Sequence, residues 1–243
     1  MSQPILHRIP VAARRAEPRL LATLPARVVI AGECNAGKTW LANSLLGTQV
    51  LPTSFVTRTE LPTVVEFGAR SRLVMERADR SRVAISWEEL EAGTCQGHRL
   101  CVRMPSPRLQ GLRLIDTPGL GDGDDGMSRR IRSLCRNADI VLWCTSALQA
   151  WKASERDFWL SLPARVRGNG VLVLTFGDML RQDQDGSRVL ARLQAEAGLH
   201  FRRIVVPAQL FDLLAHGRLQ RMTSVARDPA IAHPPLAPTL VGA

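Results

Sequence analysis

The chain has 243 residues, 45% of them hydrophobic and 22% charged, and a formal net charge of +10. This length and composition are typical of one globular α/β domain with a real core, or of two small ones. No apolar run approaches the roughly 20 residues of a membrane-spanning helix, and the N-terminus lacks the apolar segment of a secretory signal. The five cysteines show neither a C-x-x-C pair nor a metal-binding spacing, so we expect a reduced, cytoplasmic protein.

Arginine carries almost all of the positive charge. Lys38 and Lys152 are the only lysines, and the arginines are spread along the chain. Such a charge is typical of proteins that meet a polyanion, either an anionic membrane surface or a nucleic acid. The arginine excess equally fits the base composition of a genome acting on the whole surface, without any partner. Both interpretations stay open, with nucleic acid the less favoured partner.

Residues 1–24 contain several arginines and prolines, and we expect a loosely packed extension there. The β-branched run at 27–30 predicts a buried parallel strand, and the apolar spacing after residue 40 predicts a helix. Between them, Gly32 to Thr39 fits G-x-x-x-x-G-K-S/T, the phosphate-binding P-loop. A chance match in a glycine-bearing loop is the alternative, but the flanking strand and helix favour the P-loop. The predicted nucleotide-binding residues of this segment are Gly32, Glu33, Cys34, Asn35, Ala36, Gly37, Lys38, Thr39 and Trp40.

The chemistry of a P-loop requires this order of residues. Backbone N–H groups of the turn and of the helix N-terminus surround the β-phosphate, and glycines let the backbone approach closely. Lys38 is expected to reach the β- and γ-phosphates, and the Thr39 hydroxyl to bind Mg²⁺.

The segment 47–59 is threonine-rich, contains a proline and lacks a helical period, which predicts a loop. A loop at this place suits a nucleotide switch, in which a threonine completes the Mg²⁺ shell and contacts the γ-phosphate. We choose Thr59 for this role, with Thr57 as the alternative. The competing interpretation is that threonines merely suit loops and strand edges.

A second phosphate-facing motif lies at 111–119. An apolar strand ends on Asp116 and is followed by Pro118 and Gly119, which break the chain. Asp116 is placed to hold Mg²⁺ through water, and the Gly119 N–H to meet the γ-phosphate. A D-x-P-G turn by itself is common, but its position after a strand and downstream of the P-loop favours this role.

The other predicted elements alternate between strands and helices. Strands over 62–67 and 72–76 are expected to pair as a hairpin across Gly68 and Ala69. The aromatic residues Trp151, Phe158 and Trp159 are expected in the core rather than in a stacking platform. The alternation predicts an α/β fold with a doubly wound, mostly parallel sheet and helices on both faces. We predict further strands at 82–85, near 100–102, and at 138–144, 170–175 and 203–206, helices at 86–90, 127–136, 147–160, 188–197 and 209–226, and a disordered proline-rich tail at 228–243.

These motifs occur in the order found in P-loop GTPases. The interval from Thr59 to Asp116 is about twice that of small Ras-like GTPases, and Leu51-Pro52 opens the switch. In these features, and in Asp116 to Leu120, the sequence resembles the dynamin-like GTPase domain, particularly its bacterial members. The resemblance covers roughly residues 25–225 and implies a GTPase domain at 25–227, without the helical stalk of dynamins. It implies GTP and GDP as ligands, Mg²⁺ as cofactor, and a homodimer across the nucleotide face and peripheral contact with an anionic membrane as partnerships.

The base-recognition motif departs from the family pattern. GTPases of this kind read N/T-K-x-D, and here Thr175 and Asp178 match while Phe176 replaces the lysine. The resemblance implies that Asp178 accepts the guanine N–H groups and that the Ala208 N–H contacts guanine O6. Phe176 either stacks on the purine and preserves guanine recognition or relaxes the choice of base.

The resemblance implies hydrolysis by in-line attack of water on the γ-phosphate. Leu120 holds the place of the glutamine that orients this water in Ras-type enzymes. Asn35 matches an asparagine that helps to bind K⁺ in potassium-activated GTPases, which implies K⁺ between the phosphates. The alternative is that Arg58, or an arginine of a second subunit, supplies the charge. The predicted catalytic residues are Lys38, Asn35, Arg58, Thr59 and Gly119, and the predicted metal ligands are Thr39, Thr59 and Asp116.

Two other functions stay open from the sequence. The first is an interaction module that binds GTP, hydrolyses it negligibly and recruits a partner through its switches, which Leu120 and Phe176 both suit. The second is a P-loop ATPase, against which Asp178 after an apolar strand argues.

Overall fold

The computed structural model describes residues 24–52, 61–92, 95–121, 125–179 and 183–215, which form one nine-stranded sheet covered by helices. The strands are β1 (Ala26–Gly32), β2 (Thr63–Phe67), β3 (Arg72–Glu76), β4 (Arg82–Ile85), β5 (Arg99–Met104), β6 (Leu112–Asp116), β7 (Ile140–Ser146), β8 (Gly170–Thr175) and β9 (Arg203–Val205). The α-helices are α1 (Lys38–Leu46), α2 (Trp87–Glu91), α3 (Asp125–Arg136), α4 (Ala153–Leu160), α5 (Ala164–Gly168), α6 (Asp183–Ala197) and α7 (Pro207–Ala215). The sheet order is β4-β3-β5-β2-β6-β1-β7-β8-β9.

One half of the sheet is parallel. Strands β6, β1, β7, β8 and β9 run in the same direction, so their carboxyl ends lie along one edge. In this register Ile30 of β1 faces Asp116 of β6, and Gly32 faces Cys144 of β7. The ends of the P-loop strand and of the aspartate-bearing strand are therefore neighbours. The predicted doubly wound, mostly parallel α/β fold is confirmed.

The other half of the sheet is mixed, and here the predicted hairpin is wrong. β2 is antiparallel to β6 and parallel to β5, while β3 pairs with β5 and β4. β5 thus lies between β2 and β3, and Gly68 N donates to Met104 O of β5 (3.1 Å). Val64 and Val65 point to opposite faces and are both buried, because each joins the core on its own face of the sheet. A short glycine turn permits a hairpin but does not require one.

Helices cover the two faces with separate cores. Leu41 of α1 and Leu210 of α7 pack on one face. Ile131 of α3, Phe158 of α4 and Leu193 of α6 pack on the other. No helix of the described residues is both long and apolar enough to span a bilayer.

The predicted helix at 147–160 is wrong in its first half. A 3₁₀ turn covers Ala147–Gln149, Trp151 has a left-handed φ of 61°, and the α-helix begins only at Ala153. The Trp151 N–H donates to Thr145 Oγ1 (3.0 Å), and its ring packs edge-on against Phe201 with 5.2 Å between centroids. Burial of the large ring outweighs the strain of the backbone. Trp151, Phe158 and Trp159 are buried, as predicted.

Several helix bounds also differ from the prediction. α6 begins at Asp183, five residues before the predicted start, because its first turn is polar and lacks an apolar period. α7 begins at Pro207, where proline suits the first helical position. The predicted extension at 1–24, apart from residue 24, the tail at 228–243 and the end of the last predicted helix lie outside the described residues.

Candidate functional site

The loop between β1 and α1 presents backbone N–H groups at the carboxyl edge of the sheet. Gly37, the residue before α1, has a φ of 74°, and a Cβ there would lie 3.2 Å from Phe176 Cε2. No side chain caps the first turn of α1. A helix N-terminus of this kind favours an anion.

Lys38, the first residue of α1, is buried and points back into the loop. Its Nζ donates to Glu33 O at 2.5 Å. Burial lowers the pKa of Lys38, while the nearby carboxylate of Asp116 acts in the opposite direction. A cation is thus held inside the loop, beside backbone N–H groups that also attract negative charge.

Thr39 and Asp116 meet at the next position. Thr39 Oγ1 donates to Asp116 Oδ2 at 2.7 Å. Among the described residues nothing bonds to Asp116 Oδ1, although this oxygen is buried. Burial raises the pKa of Asp116 to about 6, against the hydrogen bond from Thr39 and the charge of Lys38, which lower it. A hydroxyl and a carboxylate with an unsatisfied oxygen are the ligand types that Mg²⁺ takes in nucleotide sites, so the residues fit this ion.

The segment after Asp116 lies directly against the P-loop. A Cβ on Gly119 would come within 2.6 Å of Cys34 Cα, so only glycine fits this approach. Leu120 N donates to Gly32 O (3.1 Å), and Cys34 N donates to Leu120 O (3.0 Å). Gly119 is thereby brought beside the loop. Leu120 contributes two backbone hydrogen bonds there, while its half-buried side chain packs against the core that contains Phe158 and Leu193.

The predicted base-recognition residues split into two groups. Thr175 Oγ1 is buried within hydrogen-bond distance of Ala36 O (2.9 Å) and Thr145 O (3.1 Å), which ties the end of β8 to the P-loop. Phe176 has a φ of 56°, and its ring packs on Gly37. Asp178, by contrast, is exposed in a 3₁₀ turn.

The remaining predicted residues are located as follows. Ala208 is exposed in the first turn of α7, one strand further along the sheet. Trp40 is 46% exposed on α1. Asn35 is exposed with a φ of 59°, a left-handed conformation that asparagine tolerates better than most residues. Its backbone therefore explains an asparagine here without a cation, and the potassium role stays a prediction. Arg58, Thr59 and the alternative Thr57 lie outside the described residues.

The sequence analysis missed the residues that hold Glu33 of the P-loop. Lys152 Nζ lies 2.8 Å from Glu33 Oε2, and Ser154 Oγ donates to Glu33 Oε1. Lys152 directly precedes α4, and Ser154 lies in its first turn. The neighbouring Glu155 accepts hydrogen bonds from Trp143 Nε1, Thr145 Oγ1 and Lys152 N, and burial raises its pKa. The signal available in the sequence was the rarity of lysine, because both lysines of the chain contact Glu33.

Solved structures that resemble the chain share its fold. Two chains of an oligomerised bacterial dynamin pair, described as sensing and tethering membranes at long range, have TM-scores of 0.63 and 0.66 at 20% and 22% identity. Each match covers 87% of this chain and 36% or 37% of the other. An Era variant from Aquifex aeolicus bound to GDP·AlF₄⁻ has a TM-score of 0.50 at 16% identity, covering 80% of this chain and 56% of Era.

Sequence comparisons identify the family. Dynamin-like protein 2 of Campylobacter jejuni is 28% identical over 163 residues, which are 65% of this chain and 27% of that protein. The chain therefore spans about a quarter of the length of this curated relative. The model of the dynamin family matches residues 28–175, a segment that contains the P-loop, Asp116, Gly119 and Thr175. With more than half of its residues matched, the chain belongs to the dynamin family.

Proposed function

We propose that this chain binds GTP with Mg²⁺ and hydrolyses GTP to GDP and phosphate, with nucleotide-dependent switch loops. The observation that carries the proposal is the convergence of Lys38, the Thr39–Asp116 pair and Gly119 at the mouth of one P-loop. A cation, a pair of oxygen ligands and a close backbone segment are the groups that phosphoryl transfer uses for positioning and charge stabilisation. Membership of the dynamin family supports the same conclusion.

Thr39 and Asp116 are the residues that would hold Mg²⁺, with Thr59 completing the shell from the switch segment. The bound ion would neutralise negative charge on the β- and γ-phosphates. The unsatisfied, buried Asp116 Oδ1 supports this assignment, because an oxygen left without a partner in the interior costs about 1–3 kcal/mol. Phosphate binding would also displace Lys38 Nζ from Glu33 O toward the phosphate oxygens.

Hydrolysis would proceed by in-line attack of water on the γ-phosphate. Lys38 and the N–H groups of the loop would stabilise charge on the phosphates, and the Gly119 N–H would contact the γ-phosphate. Leu120 has no polar side chain with which to orient water. Another group must therefore offset the developing charge. We propose K⁺ held by Asn35 for this role, with Arg58 or an arginine from a second subunit as the alternative.

Base selection would depend on the segments that follow the carboxyl ends of β8 and β9. Asp178 would accept the N–H groups of guanine, and the Ala208 N–H would contact guanine O6. Phe176 packs on Gly37, so its ring would support the phosphate loop as well as the base. Asp178 is exposed, so its carboxylate is solvated. A solvated carboxylate would discriminate between guanine and adenine less than a buried one would.

A second function is favoured by one observation. The backbone of Leu120 already pairs with the P-loop through two hydrogen bonds, and its apolar side chain has no role in orienting water. A GTP-binding interaction module with negligible turnover would need this backbone contact but no side chain that orients water. The P-loop ATPase interpretation would instead require that Asp178 take no part in base recognition.

One experiment separates these functions. Phosphate release and nucleotide affinity are measured for the full chain with GTP and ATP, in K⁺ and in Na⁺, with Lys38→Ala as the control for a contaminating hydrolase. GTP turnover that the control lacks supports the GTPase. Tight GTP binding without turnover in either salt would favour the module, and equal or better use of ATP would contradict guanine specificity.

We also propose two partnerships. The first is a homodimer across the nucleotide face, which would bring a second arginine to the site. The second is peripheral contact with anionic membranes, which the basic surface and the membrane-tethering bacterial dynamin pair support. Co-sedimentation with anionic liposomes should be strong at low salt and weak at high salt, because surface charges act within about 8 Å at physiological ionic strength. Absence of binding at low salt would remove the membrane proposal.

A further inference from the structure

A basic cavity lies on the face of the sheet opposite α1. Six arginines line a space of about 320 Å³, which we call the arginine groove: Arg27, Arg72, Arg82, Arg99, Arg103 and Arg113. Its floor is apolar, with Val64, Cys101 and Ile115 from three neighbouring strands. Arg27 stands five residues before Gly32 on β1, or about 16 Å along the strand at roughly 3.3 Å per residue. The groove is therefore separate from the P-loop.

The arginines come together because of strand register. One row of Cα partners crosses five strands in the order Arg72, Arg103, Glu66, Arg113, Arg27. Since partners on neighbouring strands point to the same face, four guanidinium groups and one carboxylate share this row. A second row places Glu76 between Arg82 and Arg99.

Carboxylates neutralise only part of this charge. Glu66 bonds to Arg103 (2.8 Å) and Arg113 (2.7 Å). Glu76 pairs with Arg82, Arg99 and His98, and Asp139 acts on Arg27. The six guanidinium groups of the groove thus face these three carboxylates, an excess of three positive charges.

Two of the arginines are poorly compensated. Arg72 makes no ion pair with any residue that the structure describes. Arg27 Nε is buried, and nothing in the described chain bonds to it. Burial, and then the charges of Arg113 and Arg99, lower the pKa of Arg27, while Asp139 acts in the opposite direction. Like charges held together with too few counter-charges favour an anion between them.

We propose that the arginine groove binds a small anion that carries two or more clustered phosphate groups. Each phosphate offers several acceptor oxygens and up to two charges, and guanidinium groups bind it as a two-pronged fork. An excess of three positive charges around a cavity of about 320 Å³ favours a ligand with a high density of negative charge. An acidic peptide supplies one charge per side chain and so fits less well. The proposal does not rest on GTP binding.

The test is calorimetric titration of the full chain with tripolyphosphate, in a Lys38→Ala background that removes the P-loop cation. Binding should weaken about fivefold in Arg72→Ala and about thirtyfold when Arg103→Ala is added, since charge-assisted bonds are lost. The affinity of Arg72→Lys should lie between those of the intact groove and Arg72→Ala, because lysine keeps the charge and loses the two-pronged hydrogen bonding of arginine. The matched control is Arg156→Ala on α4, which removes the same charge from an exposed site and should change affinity less than about twofold.

Further arms identify the source of the phosphates. Flotation with phosphatidylcholine vesicles containing cardiolipin, whose headgroup carries two phosphates, assigns a lipid headgroup if it depends on Arg72 and Arg103. Tripolyphosphate binding without flotation assigns a free phosphate compound. Equal affinities in the groove variants and the Arg156→Ala control would overturn the proposal. Tighter binding of a glutamate-rich peptide than of tripolyphosphate would overturn the phosphate assignment in favour of an acidic polypeptide.

Discussion

The candidate site has two halves that differ in burial: the residues proposed to bind phosphate (the phosphate half) and those proposed to bind the base (the base half). Lys38 and Asp116 are buried at the ends of α1 and β6, and they lie among hydrogen bonds that connect the P-loop to Gly119 and Leu120. Asp178 and Ala208 are exposed. Thr175 contacts the P-loop and so lies in the phosphate half, although it belongs to the predicted base-recognition motif.

This difference separates two kinds of binding. The proposed phosphate binding would depend on backbone N–H groups and buried charges that the core holds in place before a ligand arrives, so it would carry little reorganisation cost. The proposed base selection would depend on exposed side chains that the ligand itself must order. We therefore expect changes in the phosphate half to abolish nucleotide binding, and changes in the base half to alter only the choice of nucleotide.

The largest effect is expected for Lys38→Ala. Removing the buried cation should reduce GTP affinity by about 100-fold or more, because the bonds to the β- and γ-phosphates would each contribute about 1.5–3 kcal/mol. Fluorescence titration with a labelled GTP analogue measures the loss, and circular dichroism checks the fold. Lys152→Ala, which removes the other lysine and its ion pair with Glu33, should cost less than about tenfold. Retained affinity in folded Lys38→Ala would contradict the P-loop assignment.

Asp116→Asn should raise stability while it removes Mg²⁺-dependent nucleotide binding. Burial raises the pKa of Asp116 to about 6, so the folded state binds its proton more tightly than the unfolded chain. The free energy of unfolding should therefore fall as the pH rises from about 4 to 6, and the loss persists above pH 6. A shift of this size corresponds to at most about 3 kcal/mol.

Thermal unfolding at pH 7 in EDTA measures this effect. Asp116→Asn should melt above the wild-type chain, whereas Asp157→Asn at an exposed position should not. The difference between wild type and Asp116→Asn should shrink at pH 4. A lower melting temperature for Asp116→Asn would show that the carboxylate stabilises the free protein and is not strained in it.

Asp178→Ala addresses the base half. The preference for GTP over ATP should fall about tenfold, while affinity for the phosphates is retained, because the donors of guanine lose a charged acceptor. Competition of both nucleotides against a labelled GTP analogue gives the ratio. Asp157→Ala removes an exposed carboxylate from α4 and serves as the control. An unchanged ratio would mean that Asp178 lies away from the base.

The smallest effect is expected from Asn35→Ala. If Asn35 holds K⁺, turnover of GTP in K⁺ should exceed turnover in Na⁺, and the substitution should erase this difference with little change in GTP affinity. Initial rates in the two salts measure it. Identical rates for the wild-type chain would leave the left-handed backbone as the reason for asparagine. Loss of turnover in Arg58→Ala, with GTP binding retained, would then support the arginine alternative.

The sequence by itself predicted the parts of the molecule that depend on local pattern. The β-branched run before Gly32, the glycines of the loop and the break after Asp116 each determine backbone geometry over a few residues. The alternation of strands and helices then restricts the fold, because a parallel strand needs a crossover and crossovers are right-handed. The phosphate half of the site follows directly, since neighbouring parallel strands end at the same edge.

Tertiary structure decided what depends on partners distant in sequence. β5 separates β2 from β3, although a hairpin between them was locally allowed, and Val64 and Val65 then join the separate cores on the two faces of the sheet. The contact between Lys152 and Glu33 joins residues more than a hundred positions apart. The row of arginines exists only after five strands have taken their register. Register and strand order minimise the exposed apolar surface of the whole sheet, and no short window of sequence contains that information.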